Sequence, residues 1–255
     1  MVARGPVGRR TLVSVDVRGY GSATGRRQAS IQQGLVELLD ASAAAAGLRR
    51  DAWDRQQAGD GEFAVLPSDE SETVLIDDFV RHLAALVNDY NDERKKDARL
   101  RLRLALHNGI VERAANGYAG AAAVVVGRLV ESAAAKAAQA ASPESSLVVI
   151  VSNRVFVDTV LQGHTLLPAR AFRKVAVQIK EYSDNAWLYV PGADVRELQL
   201  DLEAAATPPS ATTDRGRATP EEQQAARRRY HAKVLNEFHA PVTAEVIGIK
   251  EGPGK

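Results

Sequence analysis

The stretch Gln56-Gln57-Ala58-Gly59-Asp60-Gly61-Glu62-Phe63-Ala64-Val65-Leu66 decides the fold. Two short strand-like runs flank Gly-Asp-Gly, and such dipeptides between two runs are the strongest short-range hairpin signal. The turn takes glycine because its backbone enters positive φ. That leaves Asp60 as the one charged side chain at the tip. A single carboxylate rarely suffices for a divalent cation. A second lies upstream in Thr11-Leu12-Val13-Ser14-Val15-Asp16-Val17-Arg18-Gly19-Tyr20-Gly21, where an apolar strand ends at an acid and runs into a glycine-flanked loop. The rest of the chain is expected to bring Asp16 and Asp60 together.

Outward from these two strands the pattern alternates. Arg26 to Ala46 reads as a helix, with Ile31, Leu35, Leu38 and Leu39 at helical spacing and Gly47 as the stop. Glu70 to Tyr90 reads as another, carrying Ile76, Phe79, Val80, Leu83, Val87 and Tyr90 on one face. The charged run Asn91 to Arg99 is expected to be a solvated loop. Leu100, Leu102, Leu104 and Leu106 alternate with Arg101, Arg103 and Ala105, which predicts a strand with one buried face. The order β-α-β-β-α-β is the split βαβ pattern of a ferredoxin-like sheet. A helix from Val124 to Ala140, a buried strand Leu147 to Val151, a short helix near Val155 to Leu161, and strands at Val175–Ile179 and Ala186–Val190 complete an α/β (α+β) domain. Pro191-Gly192 closes it. Ala204 to Thr219 is rich in Ala, Thr, Pro and Ser and reads as linker. Pro220-Glu221-Glu222 opens a basic helix, and Val242 to Lys250 has strand propensity.

Composition narrows the class. The chain has 255 residues, 45% hydrophobic and 25% charged, which suits a globular protein with a full core. A net charge of +1 gives no global field to recruit nucleic acid or membrane. The absence of cysteine excludes disulfides, thiolate metal sites and cysteine nucleophiles, and suits a reducing compartment. The basic start has no apolar segment behind it, and no run reaches the roughly 18 apolar residues of a membrane span. A cytoplasmic protein is expected.

Either aspartate alone reads as a turn residue. As consecutive parts of one βαββ unit, they face one end of a sheet, and two oxygen ligands on adjacent strands suit Mg²⁺ or Mn²⁺ with phosphates and water completing the shell. The loop Gly19-Tyr20-Gly21-Ser22 offers N–H groups to phosphate oxygens. His107 is expected to satisfy backbone groups where the fourth strand ends. His82 and His164 have no partner at metal-ligand spacing. Lys180 and Glu181 read equally well as surface residues or as a dimer contact.

Val15-Asp16-Val17-Arg18-Gly19-Tyr20, Gly59-Asp60-Gly61, Leu106-His107-Asn108-Gly109 and Gly127-Arg128-Leu129 together resemble the class III nucleotidyl cyclases, over about residues 11–192. The resemblance implies a cyclase domain at 9–192, followed at 193–255 by a linker and a helix-strand extension. It also implies two Mn²⁺ or Mg²⁺ ions held by Asp16, Val17 and Asp60, and phosphate binding at Gly19, Tyr20 and Gly21. One ion activates the ribose 3′-hydroxyl for attack on the α-phosphate; the other holds the triphosphate. By the same resemblance Arg128 would stabilise the transition state, and the sites would lie at a head-to-tail homodimer interface.

Departures from that family bear on the base. Purine cyclases carry a base-reading Lys four residues ahead of the second metal aspartate, where this chain has Gln56. Their second reader, an acid, falls near Gly117-Tyr118, and their transition-state Asn falls at Val124. This pattern, with Arg18 and the ending Trp187-Leu188-Tyr189-Val190-Pro191-Gly192, is similar to the bacterial pyrimidine cyclases of the Pycsar anti-phage system. The resemblance implies a uridylate cyclase making cyclic UMP for a separate effector. Gln56 and Arg18 are the candidate base readers. A cytidylate cyclase, an adenylate or guanylate cyclase, and a non-catalytic nucleotide-binding or dimerisation module are the alternatives. The segment Asn236 to Ile249 faintly resembles homotypic signalling motifs, which implies a tail that pairs with partners by strand addition; folding back onto the domain is the other reading.

Overall fold

An eleven-residue strand, buried at every position from Thr11 to Val17, runs through the middle of the sheet. The protein is described by a computed structural model over residues 7–114, 117–180 and 182–206. Its elements are β1 (Val7–Val17), α1 (Gly25–Ala45), β2 (Asp54–Ala58), β3 (Gly61–Val65), α2 (Glu72–Val74), α3 (Val80–Asp92), β4 (Leu102–Ala114) and β5 (Gly117–Ala119). There follow α4 (Ala121–Val130), α5 (Ala133–Ala141), β6 (Leu147–Ser152), α6 (Asn153–Val155), β7 (Arg173–Ile179), β8 (Tyr182–Tyr189) and α7 (Leu202–Ala206). The sheet order is β2-β3-β1-β4-β6-β8-β7, with β5 pairing to β4. β1 is antiparallel to both neighbours, and β4 is parallel to β6, so α4 and α5 form the crossover that parallel strands require.

The period of two sorts the core into two layers. Val13, Val15, Val17, Leu102, Leu104 and Leu106 point to the face covered by α1 and α3. Leu12, Ala105, Val148 and Ile150 point to the opposite face, under α4 and α5. β4 was expected to bury one face only. The structure corrects this, because α5 lies over the second face and Arg103 is only 8% exposed.

Several boundaries move for local reasons. The single helix expected over Val124–Ala140 is two, broken where the Ser132 hydroxyl accepts from the Ala135 amide and caps α5. Ser71 caps α2, and a π-helical segment, Leu75–Phe79, joins α2 to α3. Asn91 is not in a solvated loop: it is buried, its carbonyl oxygen accepts from the Leu100 amide, and its amide nitrogen donates to the Leu100 carbonyl. β4 runs on to Ala114, so His107 sits within a strand and not at its end, and β5 adds a short strand the sequence pattern did not announce. Packing continues beyond Gly192, with Val195 buried and Leu198 and Leu200 against the α4–α5 layer. Ala204 to Ala206, read as linker, are helical. Glu181 and the rest of the tail, including the expected helix at Pro220 and the strand at Val242, lie outside the described residues. Among those residues no helix is long and apolar enough to cross a membrane.

Candidate active site

The register of β1 settles where the two aspartates meet. Asp16 pairs across to Gly61 on β3 and to Arg103 on β4. Gly59 and Asp60 form the two-residue turn between Ala58 and Gly61, with φ +48° at Gly59. The Val17 amide donates to the Asp60 carbonyl at 2.8 Å, which ties the turn to the end of β1. Gly61 is required for a reason other than the expected positive φ. A Cβ there would lie 2.2 Å from the Val15 carbonyl oxygen, closer than any side chain can sit. From below, the hairpin is pinned by a buried bidentate pair, Arg50 Nη1 and Nη2 to Glu62 at 2.7 and 2.9 Å, with Arg50 Nε also donating to Asp40 at 2.5 Å.

Asp16 is only 7% exposed. Burial, opposed by the Arg103 guanidinium and reinforced by the neighbouring negative charge of Asp60, lifts its carboxyl to about 6. Arg103 ion-pairs with Asp16 through Nη2, while its Nε donates to the Val130 carbonyl at 3.2 Å and its Nη1 to Gln139 Oε1 at 2.8 Å. The first loop is equally ordered. Gly19 has φ +81°, and Ser22 Oγ donates to the Gly19 carbonyl. Gln32 Nε2 bridges the Tyr20 hydroxyl and the Gly59 carbonyl, tying the loop to the hairpin. Tyr20–Ser22 form a single 3-10 turn after Gly19, and the amides of this loop are candidate donors for an anion.

Two carboxylates adjacent at a strand end, one of them held up by burial and by the other's charge, suit a divalent cation, which relieves both penalties. Asp16, Asp60 and the backbone oxygen of Val17 would hold it. Among the described residues no cluster of three or more His, Cys, Asp or Glu forms a metal site of protein ligands alone. Water and the oxygens of a phosphate-bearing ligand would complete the shell.

A second group of residues gathers around β2 and β5. Gln56 lies directly over Gly117: a Cβ on Gly117, which has φ +99°, would meet Gln56 Nε2 at 1.9 Å. Beside them the Tyr118 hydroxyl donates to Asp54 Oδ2 at 3.0 Å, and Arg113 pairs with the same oxygen at 2.9 Å. Arg18 is exposed just after β1, apart from this group in the sheet, and its amide donates to the Arg101 carbonyl. Arg128 stands on α4, half-buried, two residues before the Val130 carbonyl that holds Arg103. Val124, on the same helix, is 44% exposed.

Arg103 escaped sequence reading because it alternates with leucines as an outward residue does. The signal was available in its position on the strand after the hairpin, level with an acid at the end of its neighbour. His107 is half-buried, and burial pushes it down to about 4, so it is a neutral ring at ordinary pH. Its Nδ1 has no hydrogen-bond partner among the described residues, so it does not satisfy backbone groups through that atom as expected.

The mixed sheet, with its first strand and hairpin tip side by side and helices on both faces, has the fold of the class III cyclase domains. Among solved structures, an adenylate/guanylate cyclase/hydrolase from Silicibacter pomeroyi matches with a TM-score of 0.54 at 18% identity, over 74% of this chain and 100% of that one. The guanylyl cyclase Cya2 matches with a TM-score of 0.52 at 14% identity, over 77% and 99%. A bacterial light-regulated adenylyl cyclase matches with a TM-score of 0.53 at 11% identity, over 80% of this chain and 57% of that one. At such identities the likeness is one of fold. No protein-family model matches the chain, and no curated protein sequence matches it.

Proposed function

We propose that the protein is a pyrimidine nucleotide cyclase that converts UTP, and CTP less well, into the 3′,5′-cyclic monophosphate and pyrophosphate. The observation that carries the base assignment is Gln56 seated on Gly117. These are the positions where the resemblance to purine cyclases calls for a lysine and an acid. A carboxamide presents one donor and one acceptor in a plane, which matches O4 and N3–H of uracil. The positive φ at Gly117 favours glycine, so an acidic base reader there would be strained.

The chemistry follows from the aspartate end. The substrate 3′-oxygen attacks the α-phosphorus, the new O3′–P bond forms, and the bond to the β-phosphate oxygen breaks. Pyrophosphate leaves with that electron pair, and the hydroxyl proton passes to solvent. Asp16 and Asp60 would hold Mn²⁺ or Mg²⁺, which when bound would lower the pKa of the 3′-hydroxyl and neutralise the triphosphate. The Tyr20 and Gly21 amides take phosphate oxygens, and Arg103 offsets developing negative charge beside Asp16. Arg128 is supplied from the second protomer of a head-to-tail homodimer. Cyclic UMP is then the second messenger to a separate effector in anti-phage defence, with neither nucleic acid nor membrane as a direct partner.

Substituting Gln56→Ala should lower kcat/KM for UTP about 10- to 100-fold, the cost of losing a paired recognition contact. Mn²⁺ affinity should be unchanged. An equal loss with all four nucleoside triphosphates would remove Gln56 from base reading. One observation favours the non-catalytic reading: Val124, an exposed apolar side chain, stands where the resemblance calls for a transition-state Asn.

A further inference from the structure

Beneath the β2–β3 hairpin sits a buried charge cluster that the proposed chemistry does not use. Arg50, in the turn between α1 and β2, and Glu62, on β3, are each 5% exposed. The Arg50 fork donates to both Glu62 oxygens, its Nε donates to Asp40 on α1, and its central carbon lies 5.4 Å from the centre of the Trp53 ring. Asp40 also pairs with Arg55 Nη1 from β2 at 3.4 Å, so the cluster joins α1, β2 and β3. The neighbours of Glu62 on that face are apolar: Ala64 and Leu66 follow it along the chain, and Val15 pairs with it across on β1. Desolvating two ions is costly, and an apolar pair of like volume in such a place is often as stable or more so. What the ion pair supplies instead is geometry. A planar fork meets a carboxylate in one arrangement, and a slip of β3 by one residue would carry Glu62 to the opposite face.

We infer that Arg50 is a positioning residue for the cation end of the site, holding the hairpin at the height where Asp60 stands beside Asp16. Glu62 is two residues beyond Asp60, and the next pair in the β1–β3 ladder is Asp16 with Gly61. β2 is the edge strand of the sheet, so no further strand steadies the hairpin from outside. At its tip the turn is held by the Val17 amide donating to the Asp60 carbonyl and by Gln32 donating to the Gly59 carbonyl. Arg50 acts on that tip through β3 and not through its field: the charges that bear on Asp16 are those of Arg103, Asp60, Glu131 and Lys136. The consequence for Mn²⁺ or Mg²⁺ rests on the reading of Asp16 and Asp60 as its ligands; the hold on the turn does not.

The test is amide hydrogen exchange of the metal-free full chain, read at Val17, with Mn²⁺ affinity as the second measurement. Arg50→Met combined with Glu62→Leu replaces the pair by apolar side chains, so its denaturant midpoint should match or exceed that of the wild type. The Val17 amide should nevertheless exchange about tenfold faster. The Leu66 amide, which donates to the Thr11 carbonyl at the far end of the same ladder, should keep its rate. Mn²⁺ affinity should fall about tenfold, the usual cost of losing a group that orients a ligand. Arg50→Lys keeps the buried charge but loses the fork, and should show the same pattern at about threefold. It carries the result if the double variant unfolds early. Val17 exchange unchanged in the variants that fold overturns the inference. So does exchange that rises alike at Val17 and Leu66, which is what a merely stabilising pair would give. Val17 exchange that follows the variants in a protein taking up no Mn²⁺ would sink the cation reading and leave Arg50's hold on the turn standing. Mn²⁺ binding that Asp60→Asn abolishes but both Arg50 variants leave intact would do the reverse.

Discussion

The aspartate end of the sheet and the glutamine end are built in different ways. At the first, ionised groups are buried and fixed by backbone. Asp16 is enclosed, Gly61 has no room for a Cβ against Val15, and the turn hangs on the Val17–Asp60 hydrogen bond. At the second, Gln56 is exposed on an edge strand, and its neighbour Gly117 contributes only backbone. Under the proposed function, the difference separates two tasks. Charge placed for chemistry needs rigid, desolvated support. A group that reads a base can be exchanged without disturbing the sheet, so specificity can change while the reaction is kept.

The largest effect should come from breaking the rigid end. Asp60→Asn removes one of two carboxylates from a half-exposed turn without altering its shape. Turnover with Mn²⁺ should fall about 10³-fold or more while the melting temperature of the metal-free protein stays within a few degrees. The stabilisation that Mn²⁺ gives the wild type in a thermal melt should vanish with it. Full turnover in this variant would remove Asp60 from metal binding.

Gly61→Ala probes the same end through packing. Its Cβ must displace the Val15 carbonyl and so part β1 from β3. A loss of about 2–4 kcal/mol in denaturant unfolding is expected, from overpacking at a backbone contact. Glycine to alanine at Gly21, which has open space around its Cα, is the matched control and should cost well under half as much.

A smaller effect sharpens the electrostatic side. In the metal-free protein the Asp16 carboxyl lies at about 6, and only its ionised form takes a cation. Mn²⁺ affinity, followed by the free-ion electron paramagnetic resonance signal, should therefore fall as pH drops through about 6. In metal-free Asp60→Asn, the Asp16 carboxyl itself, followed by carboxyl-carbon NMR, should titrate with a lower midpoint than in the metal-free wild type, because Asp60 is one of the causes that raise it. A midpoint unmoved in Asp60→Asn would mean that the two carboxylates do not interact.

Much of the fold was legible because apolar alternation in β1 and β4 and helical spacing in α1 and α3 report which faces are covered. The pairing of Asp16 with the hairpin followed from the β-α-β-β-α-β order, which lets the first strand lie beside the hairpin strand. What the sequence concealed shares a cause: polar side chains whose partners are distant in the chain. Asn91 looks like part of a solvated charge run, yet its amide closes a backbone pair with Leu100. Arg103 looks like the outward residue of a half-buried strand until α5 is laid over it. The break at Ser132 is a cap inside a run of helix formers, where propensity alone favours continuation. Likewise the contact of Gln56 with Gly117 joins β2 to β5, and β5 leaves almost no mark in the sequence.

The most direct test of the central claim is to incubate the purified protein with Mn²⁺ and each of ATP, GTP, CTP and UTP separately, and to identify cyclic products by mass spectrometry. The account predicts cyclic UMP as the dominant product, with cyclic CMP as the lesser one. Cyclic AMP or GMP as the main product would contradict the base assignment to Gln56 and Gly117, and no cyclic product from any of the four would contradict the assignment of an active cyclase.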